Sequence, residues 1–160
     1  MPAKAATKSK YASRNADKVF SEAERAAVAA TARERKAASG VSPAEERAEG
    51  LKMLRESLAK MPADDRAMGE RIHELVSKAV PALVPGTYYG MPSYRTEGKN
   101  GKTIGWYKPK SKFKVRYSTI GFQPDARLDD GDMWPVSFAV NELSPGIEQR
   151  IAELVKRAVR

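Results

Sequence analysis

The chain has 160 residues, enough for one domain with an extension, and its hydrophobic share of 41% can build a single core. It holds no cysteine and one histidine, which excludes disulfides, a thiolate nucleophile, Cys-ligated zinc and histidine-rich metal sites. Lys and Arg outnumber Asp and Glu by 29 to 20, and the net charge of +9 has the wrong sign for a broadly acidic surface.

No run approaches the roughly 18 consecutive apolar residues of a membrane span, and MPAKAATKSK lacks the apolar stretch of a secretory signal. The expectation is a cytoplasmic protein with no membrane partner. Residues 1–19 carry five Lys or Arg against one Asp, with few apolar side chains, and are expected to form a disordered basic tail. A transit peptide is the alternative reading. Such a tail can bind DNA or RNA weakly and without sequence preference.

Ser21 to Glu24 reads as a capping box, opening a surface helix over residues 20–40 whose apolar content is mostly alanine. Ser42-Pro43-Ala44-Glu45 repeats the signal, and Leu51, Leu54, Leu58 and Met61 give the second helix an apolar stripe. After Pro62 a third helix is predicted from Asp64 to Val80, with Met68, Ile72, Leu75, Val76 and Ala79 on one face. Strands are predicted near 87–95, 102–108, 113–122 and 136–141. Asn100-Gly101 supplies hairpin chemistry, and Lys108 to Ser111 a second tight turn. Ser144 and Pro145 open the last helix, with Ile147, Ile151, Leu154, Val155 and Ala158 as its stripe. Strands in a run between helices argue for an α+β fold, a small antiparallel sheet of three to five strands packed against flanking helices, with residues 41–160 as the domain.

Two clusters carry candidate chemistry. Lys108, Lys110, Lys112, Lys114 and Arg116 alternate, which in a strand puts all five cations on one face, with Phe113, Val115 and Tyr117 on the other. Such a comb can bind phosphates, an anionic ligand or an acidic protein partner. It can equally be a solvated face, since lysines on edge strands block edge-to-edge pairing, or be neutralised by the aspartates that follow. Those are Asp125, Asp129, Asp130 and Asp132. Asp129, Asp130 and Asp132 share one short loop and suit a hard cation such as iron, magnesium or calcium, although the spacing is not that of an EF-hand. Turn formation and capping are the alternative roles for Asp129 and Asp130.

The phrases YYGMPSY, SKFKVRYSTIGF and LDDGDMWP, with the flanking MPADDRAMGERIHELV and SPGIEQRIAELVKRAV, resemble the YdhG-like domain family over roughly residues 48–159. The resemblance implies an α+β fold and, since some members are described as frataxin-like iron chaperones, an iron-handling role.

Trp134 and Pro135 are expected to anchor their loop in the core. Tyr88, Tyr89, Met91 and Trp106, with Tyr107, either fill the sheet's core or line a pocket for a planar ligand. Gly90 and Pro92 mark a bulge or bend. His73 follows Ile72 on the third helix and is at best at the margin of its apolar face. No phosphate-binding or dinucleotide motif is present, and no catalytic constellation is visible, so the expected function is a binding protein of the YdhG-like family, with iron as its cargo by resemblance. The alternative is a module for an anionic ligand, nucleic acid or acidic protein partner that uses the basic strand and tail.

Overall fold

The structure is a computed structural model describing residues 21–37 and 41–160. The basic tail expected over residues 1–19 lies outside the described residues.

Among the described residues five helices and five strands follow the order α1 (Glu22–Ala37), α2 (Pro43–Ala59), α3 (Ala63–Ala79), β1 (Val84–Tyr88), β2 (Met91–Arg95), β3 (Thr103–Lys108), α4 (Lys110–Phe113), β4 (Ser118–Phe122), β5 (Ser137–Val140) and α5 (Pro145–Ala158). Local signals set the helix starts. Ser21 accepts from the Glu24 amide while Glu24 accepts from the Ser21 amide, and Ser42 and Glu45 repeat this box at α2. Ser144 caps α5 by accepting from Ile147 N–H. Among the described residues, no helix is long and apolar enough to cross a membrane.

The strands form one antiparallel sheet in sequential order, β1-β2-β3-β4-β5. This is the α+β architecture expected. Leu54 and Leu58 of α2, Ile72 and Val76 of α3, and Ile151 and Val155 of α5 pack onto Tyr94, Tyr107, Ile120, Phe122 and Val140 of the sheet. The opposite strand parity carries Trp106, which pairs with Gly121 across β3 and β4. A Cβ at position 121 would overlap the Trp106 indole, so the ring lies flat over the glycine.

Two expectations about the strands are corrected. The segment 87–95 is a hairpin and not one strand: Tyr88 pairs with Met91, and Tyr89 and Gly90 between them have φ of 50° and 77°. Two central residues in that region make the primed turn that matches strand twist, at some steric cost for Tyr89. The segment expected to run as a strand from 113 does not begin until Ser118. Residues 110–113 coil into α4, and Lys114 ends it in a left-handed conformation, φ 52°. Buried polar groups impose this. The carboxylate of Asp65, on α3, accepts from Ser111 N–H at 3.1 Å, and Ser118 Oγ accepts from Lys110 N–H at 3.2 Å. Satisfying the Asp65 carboxylate decides the backbone where alternation alone favours a strand.

Candidate functional site

A cavity of about 450 Å3 opens beneath α1, between that helix, the end of α2, the β1–β2 turn and the start of α4. One wall is the alanine face of α1, Ala23, Ala26, Ala27 and Ala30, whose spacing of three and four sets them on one side of the helix. The floor is thioether, from Met53, Met61 and Met91. Short side chains facing flexible ones leave room that methionine can adapt to.

The rim is charged. Arg33 donates to Glu56 at 2.9 Å and approaches Glu49 at 3.7 Å, linking α1 to α2. Glu34 accepts from Gly90 N–H at 3.3 Å, so α1 also holds the β1–β2 turn. Burial pushes the half-buried Glu34 carboxyl above its ordinary value, against the hydrogen bonds from Thr87, Gly90 and Tyr89. Lys60 and Lys112 stand on the cationic side. Partial burial of the ammonium, and then the charge of Lys60, push Lys112 below its ordinary value, with Glu34 opposing.

The five cations of the expected comb are not on one strand face. Lys108 ends β3, Lys110 and Lys112 lie in α4, and Lys114 and Arg116 lie in the exposed stretch after it. Lys108 and Lys112 do converge, their ammonium groups lying 4.5 and 5.7 Å from the centre of the Phe113 ring. Arg116 instead stacks on Tyr117 at 5.0 Å. Among the described residues no ion pair joins these cations to Asp125, Asp129, Asp130 or Asp132.

Asp129, Asp130 and Asp132 are all exposed, and among the described residues no three His, Asp or Glu side chains are grouped to hold a metal ion. The loop is positioned instead by Arg157 of α5, which donates to the carbonyls of Leu128 and Asp129 at 3.2 and 3.1 Å.

The aromatic candidates divide. Met91 is buried, Tyr88 and Trp106 are half-buried, and Tyr89 is exposed with its ring edge-on to Tyr88 at 4.6 Å. Trp134 is only half-buried, packed against the margin of the core and not within it. Met133 beside it is 89% exposed. Tyr107 is the buried aromatic, donating to the Asp65 carbonyl at 3.0 Å, and burial raises its phenol to about 12.

Lys60, Arg33 and Glu34 were not legible as site residues, since the cavity is assembled from segments distant in sequence. A second missed group is Arg150 and Arg157, which share one face of α5 at an offset of seven, with Arg160 just beyond the helix end, a pattern that reading for apolar stripes passes over. Comparison with protein-family models, with curated proteins and with solved structures finds no match to this chain.

Proposed function

We propose that the chain is a small binding protein whose ligand is a compact anion with an apolar body, taken into the cavity beneath α1. The carrying observation is the pairing of an alanine and methionine interior with Lys60 and Lys112 at one rim. Apolar walls with a few converging polar groups are what a small-molecule site requires, and the volume falls within the range such sites occupy. An anion between the two ammonium groups relieves both the burial cost that chiefly lowers Lys112 and the repulsion from Lys60 that adds to it. Lys108, drawn in over Phe113, adds to the positive potential.

Membership of the YdhG-like family and a cytoplasmic location belong to this reading, supported by the sequence phrases from Tyr88 to Pro135 and by the composition. Iron handling, which the resemblance implies, has less support than anion binding, because Asp129, Asp130 and Asp132 do not converge.

Calorimetry with hexanoate, benzoate and inorganic phosphate tests the proposal. A saturable heat with hexanoate or benzoate that disappears in the Lys60→Gln/Lys112→Gln variant is expected. Absence of heat with both carboxylates, or an unchanged isotherm in the variant, overturns it.

A further inference from the structure

A second cleft, of about 480 Å3, lies on the far side of the domain between α5 and the loop from Leu128 to Pro135. Arg150 and Arg157 line it from the helix, Arg160 from just beyond the helix end, Trp134 from the loop, and Asp130 and Glu153 also reach it. Among the described residues none of these three arginines forms an ion pair, although both carboxylates share their cleft. Arg33, Arg71 and Arg95 bind carboxylates, whereas the cleft arginines, like several others among the described residues, do not. Two of the cleft arginines are pre-positioned. Arg157 is held by the carbonyls of the loop, and Arg150 lies over the Phe138 ring with its guanidinium carbon 5.5 Å from the ring centre. Each is thereby oriented without losing its charge to a counterion.

We propose that this cleft is a binding site for a ligand that joins an amino-bearing aromatic ring to a phosphate, the chemistry of a nucleotide. The guanidinium groups are planar forks that match phosphate oxygens. Trp134, half-buried beside them, offers a ring face for stacking. Asp130, and Glu153, which also accepts from Gln149 Nε2 at 3.0 Å, are placed to accept from N–H donors on the ring. The cleft is separate from the cavity beneath α1, with which it shares no lining residue.

Adenosine monophosphate is the probe, with adenosine and inorganic phosphate as its two halves, and the Trp134 indole N–H resonance as the readout. Millimolar adenosine monophosphate is expected to shift the Trp134 signal saturably. Arg150→Gln/Arg160→Gln is expected to weaken binding about tenfold or more, on the scale of one lost charge-assisted hydrogen bond. Arg157 is left in place because it holds the loop. Trp134→Leu, followed by calorimetry, is expected to bring the affinity for adenosine monophosphate down to that for inorganic phosphate. No Trp134 shift, a shift unaffected by the arginine changes, or equal affinity for inorganic phosphate and the nucleotide overturns the proposal. Binding that survives Arg150→Gln/Arg160→Gln but is lost in Lys60→Gln/Lys112→Gln assigns the nucleotide to the other cavity, and overturns it as well.

Discussion

The carboxylate of Glu46, in the first half of α2, binds the guanidinium of Arg95 at the end of β2, with only 4% of one side chain and 17% of the other exposed. Glu46 also accepts from Gly98 N–H at 3.4 Å, so a single buried acid ties α2 to the sheet and to the β2–β3 loop. A buried pair is expensive to break because the surviving charge keeps its desolvation cost. Glu46→Ala is therefore expected to destabilise the protein by about 3 kcal/mol or more in urea unfolding. Glu46→Met with Arg95→Met should recover most of that loss, and failure to recover would show that the Gly98 contact matters more than the pair.

Gly121 lies beneath the Trp106 indole, where a methyl group cannot be added without moving the ring or the strand. Gly121→Ala should cost about 1–3 kcal/mol, the usual penalty for overpacking. It should also change the near-ultraviolet dichroism of the tryptophans. A change in stability within about 0.5 kcal/mol would mean that Trp106 swings aside freely.

His73 makes stability depend on pH. Burial, and then the charge of Arg55, hold its imidazole below the ordinary value of 6.5, with Glu74 partly opposing. Its Nδ1 lies 3.2 Å from the Tyr94 hydroxyl, in a site that favours the neutral ring. As pH falls through 6.5 the unfolded chain takes up a proton that the folded chain does not, so stability is present above 6.5 and declines below it. The slope is at most about 1.4 kcal/mol per pH unit for one proton. His73→Gln should flatten the stability profile between pH 7 and the lowered value, and an unchanged slope would remove His73 as its source. Glu34 acts in a lower window with opposite sign: its raised carboxyl favours folding below its folded value and loses that contribution as pH rises through it.

Deleting residues 1–40 should leave a domain that unfolds in one sigmoidal thermal transition. Among the described residues, none of the buried hydrophobic core comes from α1. The same deletion removes the alanine wall and should abolish hexanoate binding. A truncated protein without a cooperative transition would show that α1 is part of the fold and not a cover.

Much of the fold was readable in advance, because short-range chemistry determines it. The boxes at Ser21 and Ser42 and the cap at Ser144 open helices where they were expected, since each satisfies orphan amides within one turn. What escaped reading depends on contacts across the chain. Tyr89 occupies a left-handed turn position usually signalled by Gly or Asn, so a hairpin reads as one strand. The alternating cations from Lys108 to Arg116 imitate a strand, and only Asp65, about 46 residues away and buried, pulls Ser111 into a helix. The cavity was illegible for the same reason. Its cationic side combines Lys112, which the comb includes, with Lys60, which no local pattern singles out.

The sequential order of the sheet bears on how the chain reaches this shape. Every strand pairs with its neighbour in sequence, from the tight Tyr89-Gly90 turn between β1 and β2 to the longer stretch 123–136 between β4 and β5, and all of these are local closures of modest entropic cost. Topologies dominated by near-neighbour contacts fold quickly, so the sheet can zip from β1 toward β5 as the polypeptide leaves the ribosome. The closing of α5 onto α3, which brings Ile151 and Val155 to Ile72 and Val76, spans the whole sheet and must come last. Until then the apolar side of β3 and β4 is covered only in part, by α2 and α3, and a nascent chain stalled before Ser144 is the species most exposed to aggregation and most dependent on chaperones.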